Sequence, residues 1–525
     1  MQKPEDYRLW ISRHGPLILA AAIALFWIFH RAHVQSFTLD EADTFRYWVA
    51  PPSPTHWEPH SNNHVLNSIL MRVSISLFGL NELAARAPAL VGGIIYVFAA
   101  FLLCTLLASG LVLRWALFMC LVYNPFIMDY LVAARGYGLA LGFLTLALYL
   151  FARILVQDWN SITESAALKH GIAISASIAL CFCANFAFAY ACGFLWLAVA
   201  SLAAMWLWRR KLGTLTWMRM ASACALPALA IVLVLAGSAL TRFPRDQLWW
   251  GTDSLRETWK SIREASLGEI NPFLVNPLLA GYFEAFKNHV FQVLAWWAGV
   301  YTALLFIDRY QLRASLSRLV LAVSLTLVLT LTVLAHWLQF RLLKIPLPLD
   351  RTSVFVVPLA TVLMGAALAA APSNPLARAA RGFGIAILFV AGVIFAGELR
   401  NSYFHEWRAC ADIKAAFPVV VDLCRRAGVS QVASQPTFAG SFNFYRAVHN
   451  VKDVEEFAVF DKTPRDQSIY VLLNGWDGDF IRGEGLQVVW HGMTSDLVVA
   501  VRPSLNSRLS SKPSSGGGAS PVEQY

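Results

Sequence analysis

Charge is scarce in this chain. Of 525 residues, 14% are Asp, Glu, Lys or Arg, against about 25% in soluble domains. The mean hydropathy is +0.54, so composition excludes an ordinary soluble fold. Acidic groups are the rarer sign, and the net charge is +10. That surplus does not argue nucleic-acid binding, because the basic residues cluster in short loops between apolar stretches. Cysteine is sparse and badly placed for metal. Cys104, Cys120, Cys181, Cys183, Cys192 and Cys224 fall in or near apolar stretches and read as small packing residues. Cys410 and Cys424 flank Pro418 in a polar region and read as free thiols rather than a disulfide. No Cys/His spacing resembles a zinc finger, and there is no Walker or Rossmann glycine loop. No internal repeat is visible. The first apolar stretch has no small-residue cleavage site, so it reads as an uncleaved span.

What the chain does have is apolar runs. Eleven windows reach the roughly 20 residues that a spanning helix needs: about 14–31, 84–108, 112–129, 136–156, 170–188, 190–208, 219–240, 289–307, 317–337, 353–371 and 379–397. The positive-inside rule places the N-terminus in the cytoplasm, on the side of Arg153, Lys169, Arg209, Arg210, Lys211, Arg219, Arg378 and Arg381. An odd number of spans puts the C-terminus on the external, periplasmic face. Two long external loops result, about 32–83 and 241–288. In the first, Ile69, Leu70, Val73 and Leu77 recur at helical spacing, which predicts an amphipathic helix along the membrane surface. The second holds Trp249, Trp250, Trp259 and Tyr282, suited to an interfacial belt.

From about 400 the composition changes. Helix is predicted over 408–427 and 441–448, and strand over 431–434, 468–474 and 486–501. The sequence therefore predicts a polytopic α-helical membrane protein with about eleven transmembrane helices and external amphipathic helices in the first loop. It divides into a membrane domain (1–400), a small periplasmic α/β domain (401–502) and a disordered tail (503–525).

Several polar groups could carry chemistry. The first is Thr38-Leu39-Asp40-Glu41-Ala42-Asp43, just after the first span, where lipid would not hold three carboxylates cheaply. Thr38 and Glu41 have capping-box spacing, so Glu41 either caps a helix or takes part in catalysis. Asp40 and Asp43 share one helix face; they are either solvated loop charges or, for Asp40, a base that accepts a hydroxyl proton. Arg135, in Asp129-Tyr130-Leu-Val-Ala-Ala-Arg135-Gly136-Tyr137, suits phosphate oxygens. Its alternatives are snorkelling or pairing with Asp129. Arg341, Lys344 and Arg351 flank the tenth span, as interfacial anchors or as phosphate ligands, with Arg351 nearest the span. His60, Asn62, Asn63 and His64 could bind sugar hydroxyls or cap a helix. His289 and His336 would complete a metal site only if the fold joined them.

Taken together these motifs resemble the GT-C superfamily of membrane glycosyltransferases, in the branch of protein O-mannosyltransferases, lipid A aminoarabinose transferases and related lipopolysaccharide sugar transferases. The resemblance runs through about 14–400. Asp40-Glu41 is similar to the family's acidic pair in the first external loop. Asn62-Asn63-His64-Val65-Leu66 stands where the family has a His-Pro-Pro-Leu motif, without the prolines. Leu77-Phe78-Gly79, Glu82 and Arg86-Ala87-Pro88-Ala89-Leu90 follow, and Ala134-Arg135-Gly136-Tyr137 is similar to the family's Ala-Arg-x-Tyr. The resemblance implies an inverting transferase in the inner membrane that takes a sugar from a polyprenyl-phosphate donor. The acceptor would be a lipid, polysaccharide or protein. Asp40 and Glu41 would be catalytic, with Asp40 the base. Arg135, Tyr137 and Arg351 would bind the donor phosphate, and Asn63, His64, Asp43 and Arg86 would contact substrate. No metal ligand is assigned, and a divalent cation stays open because the prolines are missing. Competing classes are a transporter or flippase of a lipid-linked saccharide and a non-catalytic envelope assembly protein. Charges at the external ends of spans, rather than at mid-membrane in repeated halves, favour the enzyme.

Overall fold

The computed structural model describes residues 4–156, 162–242, 247–268, 276–307, 316–370, 372, 374–458 and 464–505. The expected tail beyond 505 lies outside them. In chain order the helices before residue 400 are α1 (Pro4–Val34), α2 (Leu39–Thr44), α3 (Val65–Phe78), α4 (Glu82–Leu107), α5 (Leu111–Val122), α6 (Pro125–Tyr130), α7 (Tyr137–Val156) and α8 (Glu164–Ala184). There follow α9 (Ala189–Arg209), α10 (Thr214–Leu235), α11 (Gly237–Arg242), α12 (Leu255–Leu267), α13 (Pro277–Ile307), α14 (Leu316–Leu343), α15 (Val356–Ala369) and α16 (Pro375–Gly397). The chain divides into two compact units: Met1–His33 with Tyr47–Asn401, and Val34–Arg46 with Ser402–Tyr525.

In the first unit, nine helices among the described residues are long and apolar enough to cross a membrane. Two of the eleven expected windows differ. The window over 112–129 is broken: α5 stops at Val122, the Asn124 side chain caps α6 by accepting the Phe126 N–H at 2.9 Å, and Pro125 opens that helix. Proline at a first helical position cannot continue the helix before it, and a hydropathy window does not register that break. The window over 289–307 lies in α13, whose apolar part, Gln292–Leu305, is shorter than the other nine.

Large apolar side chains of the long helices face outward, among them Phe26 of α1, Leu233 of α10 and Leu327 of α14. That is the surface a lipid solvent tolerates and water does not. Inside, α4 and α7 meet through small residues, as membrane helices do. A Cβ on Gly142 would lie 2.5 Å from the Gly92 carbonyl oxygen, so neither helix could carry a side chain there. Helix α3 buries Leu66, Asn67, Ser68, Met71 and Ser74. The expected apolar stripe faces outward at Val73 and Leu77, which are exposed, while the Asn67 amide and the Ser68 hydroxyl find hydrogen bonds inside.

A buried charge triad ties distant parts of this unit together. Asp129, at the end of α6, takes Arg31 of α1 at 2.7 Å and Arg400 at 3.2 Å. Nearby, the turn between α6 and α7 has no spare volume. A Cβ on Gly136 would overlap the Ala184 carbonyl oxygen at the end of α8 and stand 2.8 Å from the His64 Cβ. Backbone cannot yield as a flexible side chain can. Gly136→Ala is therefore expected to cost about 3 kcal/mol, the upper end for overpacking, and to lower the melting temperature in detergent. An unchanged melting temperature would show that the turn is looser than this.

The second unit is a small α/β fold. It adds α17 (Ile413–Ala427), β1 (Ala433–Ser434), α18 (Pro436–Val448), β2 (Ile469–Leu473), α19 (Asn474–Gly483), β3 (Gln487–His491) and β4 (Leu497–Val501). The sheet order is β1-β2-β4-β3, with β1 parallel to β2 and the other pairs antiparallel. The single strand expected over 486–501 is two strands. Asp412 makes the turn between them by accepting hydrogen bonds from the N–H groups of Thr494 and Ser495 and the Ser495 hydroxyl, at 2.6–2.9 Å. Helix α19 escapes the periodicity because its sequence is rich in Gly and Asp. Its start is held by Asp477, which accepts the Leu473 N–H at 2.9 Å. Cys410 and Cys424 are free thiols.

Candidate active site

In the first unit the polar chemistry collects where α3, α7 and α8 end together. Arg135 is fully buried and donates through Nη2 to the Asn62 side-chain oxygen. His64 begins α3; its ring lies 5.2 Å from that of Tyr137, which lies 4.8 Å from Tyr130. Asn67 donates to the Ala134 carbonyl at 3.2 Å, and Asn63 accepts the Ser68 hydroxyl at 2.9 Å. The N-cap position of α3 thus falls to His64, not to Asn62 or Asn63. Arg86 is buried in α4 and donates to the Ala32 carbonyl at 2.9 Å.

Arg351 reaches this cluster from a separate strip of chain. It belongs to a short 3₁₀ turn, Asp350–Ser353. Asp350 adopts φ +46°, a left-handed conformation that Asp tolerates better than most residues. Its N–H donates to Ser261 of α12 at 3.0 Å. Backbone bonds between Thr252 and Leu347, at 3.0 and 2.7 Å, bring the tryptophan loop alongside. The Arg351 guanidinium then stands 4.5 Å from the centre of the Trp250 ring, so Trp250 supports the charge from one side. Arg341 and Lys344 are exposed, and Arg341 stacks on Trp337 at 5.4 Å, an arrangement suited to interfacial anchors.

Burial pushes the His64 imidazole well below its usual range, and the positive charges of Arg135 and Arg351 push it the same way. The ring is neutral at pH 7, and its Nε2 is buried with no hydrogen-bond partner. Because the folded state disfavours the protonated ring, the stability from this site is complete above the ordinary value of 6.5 and falls as pH drops below it. Each pH unit below 6.5 is expected to cost up to about 1.4 kcal/mol. His64→Gln should flatten the decline of melting temperature between pH 6.5 and 5, and an equal decline in both proteins would assign it elsewhere.

In the second unit the acidic segment is a built turn rather than a loose loop. Thr38 and Glu41 form the reciprocal capping box: the Glu41 carboxylate accepts the Thr38 N–H at 2.8 Å, and the Thr38 hydroxyl accepts the Glu41 N–H at 3.3 Å. Glu41 is fully buried, so its geometry is that of a cap. Asp40 is 8% exposed, which does not fit a solvated charge, whereas Asp43 is half-buried. Residues from the far end of the chain pack this turn. Phe37 stacks on Phe444 at 3.7 Å, and its N–H donates to the Tyr445 hydroxyl at 2.9 Å. The Ser36 hydroxyl donates to the Ala411 carbonyl at 2.5 Å and accepts the Lys414 N–H at 3.0 Å. A Cβ on Gly440 of α18 would stand 3.3 Å from that of Ala42. Burial, with the charges of Asp40 and Glu41 adding to it, pushes the Cys410 thiol up to about 12.

Of the residues singled out from the sequence, Arg135, Tyr137, His64, Asn63 and Arg351 fall in the first unit's cluster. Asp40, Glu41 and Asp43 belong to the second unit. Sequence reasoning passed over Arg31 and Arg400; the missed signal was a charge in the last turn of an apolar helix for Arg31 and just past the end of one for Arg400, where lipid would not tolerate it unpaired. It also passed over Trp250 as a partner for Arg351, where spacing carries no signal. His289 pairs with Gln292, and His336 packs against Tyr190 and Phe355. Among the described residues, no group of three or more His, Cys, Asp and Glu is arranged to hold a metal ion.

The first unit therefore has the make-up of a polytopic α-helical membrane protein with a buried, cationic and aromatic polar site at the ends of its spans. The whole chain is similar to two solved structures of ArnT from Cupriavidus metallidurans, one bound to undecaprenyl phosphate and one in the apo state. Both are 14% identical to this chain, cover 94% of it and 99% of ArnT, and give TM-scores of 0.48 and 0.47. No family model matches the chain, and no curated protein does.

Proposed function

We propose that the protein is an inverting glycosyltransferase that moves a sugar from a polyprenyl-phosphate donor to an acceptor hydroxyl. The observation that carries this reading is the placement of Arg135 and Arg351. Two arginines converge on a neutral, buried histidine at the ends of membrane-length helices. Such a place suits a phosphate whose tail lies in lipid, because guanidinium groups bind phosphate oxygens in a fixed fork and act strongly where water is excluded. A sugar hydroxyl fits His64, whose neutral ring has a nitrogen to offer.

In the reaction, Asp40 takes the proton of the acceptor hydroxyl. The acceptor oxygen forms a bond to the anomeric carbon as the bond from that carbon to the phosphate oxygen breaks. The bonding pair leaves on polyprenyl phosphate, whose charge Arg135 and Arg351 stabilise, with Tyr137 beside them. Asn63, Asp43 and Arg86 complete the proposed substrate contacts, and the Thr38–Glu41 cap holds the turn that carries Asp40. In the proposed topology the protein lies in the inner membrane, with the N-terminus cytoplasmic and the α/β unit periplasmic.

The decisive experiment supplies the protein, in lipid nanodiscs, with a panel of polyprenyl-phosphate sugars and an envelope extract, and measures free polyprenyl phosphate. Release from one donor, dependent on the extract, is expected. Folded protein that releases none from any donor would overturn the transferase reading in favour of transport.

A further inference from the structure

A cavity of about 350 Å³ lies among α7, α8, α9 and α10. A cavity of about 150 Å³ is enough to hold benzene. The walls are mostly apolar, among them Phe151 and Ile154 of α7, Leu202 of α9 and Met220 of α10, with Thr163 and His170 as the polar exceptions. It sits near the opposite ends of the same helices that carry the His64–Arg135 cluster. Phe151 is 14 residues beyond Tyr137 on α7, and at 1.5 Å per residue that is about 21 Å along the helix. The two sites therefore lie toward different leaflets, and a headgroup held at one is not held at the other.

Two observations say what the cavity takes. The first is Trp206, which lines it and is buried, yet its indole N–H has no hydrogen-bond partner. A buried N–H without an acceptor is unfavourable, so an occupant whose ester or phosphate oxygen reached it would relieve it. The second is the charge around the mouth. Arg210 lies 4.8 Å from the centre of the Trp206 ring and donates to the Ile162 carbonyl at 2.9 Å. Arg153, Lys169, Arg209, Lys211 and Arg219 are exposed at the same ends of these helices. Against them stands Glu164, which pairs with Arg219 at 3.7 Å.

We propose that this cavity binds one acyl chain of an anionic phospholipid from the leaflet opposite the candidate active site. The ester region would meet the Trp206 N–H, and the headgroup phosphate would meet Arg210 and the basic rim. An apolar slot alone would accept any lipid tail; the basic rim selects the anionic one, since juxtamembrane Lys and Arg each contribute attraction to anionic lipid.

The test uses the full-length protein in nanodiscs containing a trace of phosphatidylglycerol with a photoactivatable group on one acyl chain. Labelled peptides are mapped by mass spectrometry, with unlabelled phosphatidylglycerol or phosphatidylcholine as competitor. Labelling within 162–171 or 199–206 is expected, with phosphatidylglycerol at least tenfold the better competitor. Ala203→Trp, which fills the cavity, should remove that labelling. Arg209→Gln with Lys211→Gln, at exposed positions that leave the core untouched, should weaken the preference while the labelling stays in place. Equal competition by both lipids in the wild type, labelling spread evenly over outward helix faces, or a preference unchanged in the double variant would each overturn the proposal.

Discussion

Asp40→Asn is expected to lower sugar-transfer turnover by about 10²–10⁴-fold, the usual contribution of a positioned general base, while the protein folds and accumulates normally. Asn keeps the shape of the side chain but cannot accept the acceptor's proton. The turn itself should survive, because its hydrogen bonds run through Thr38, Glu41, Ser36 and Phe37 and not through the Asp40 carboxylate alone. Comparison with Glu41→Gln separates chemistry from scaffolding. Glu41 is bonded to the Thr38 N–H and fully buried, so its substitution should cost stability, of the order of 1 kcal/mol for a lost cap, more than rate at saturating donor. Release of polyprenyl phosphate, followed beside the melting temperature of each variant, checks both. Full turnover in Asp40→Asn would remove Asp40 as the base without touching the enzyme class.

Arg351→Gln is expected to reduce turnover by about 10²–10³-fold, the effect of deleting one preorganised charge-stabilising group. It is the cleaner of the two arginines to change. Arg135 is fully buried and bonded to Asn62, so its loss risks the fold, whereas Arg351 is half-buried and rests on Trp250. If its role is to meet charge that grows on the leaving phosphate, kcat falls more than KM rises, and Arg351→Lys restores part of the rate with the charge but without the fork. A rise in KM alone, at unchanged kcat, would mean that Arg351 binds donor without acting on the step.

The class of the fold was legible because lipid imposes a simple rule. A span must be long and apolar, and composition registers both. The acidic pair, the Arg135-Gly136-Tyr137 turn and the basic end of the tenth span were legible too, because a polar group beside a membrane span is conspicuous. The breaks were not. A window over 112–129 averages its hydropathy across Asn124-Pro125, and only the local hydrogen bond of the Asn124 cap shows that one helix is two. Likewise 486–501 reads as one strand until Asp412, more than seventy residues earlier, bonds the turn within it. The triad of Arg31, Asp129 and Arg400 joins three segments whose spacing shares no period.

By itself, then, the sequence determined nine of its eleven expected spans, the α/β character of the C-terminal region and the polar residues that could do chemistry, since these follow from side-chain type and short-range periodicity. Only the tertiary structure decided that Glu41 caps, that Arg351 stands on Trp250, and that residues 34–46 fold with the chain beyond 402 rather than with the helix that leads into them. The reason is physical. Phe37 and Ser36 gain a stacked ring and buried hydrogen bonds from partners about 400 residues away, and no local pattern along the chain encodes a contact of that range.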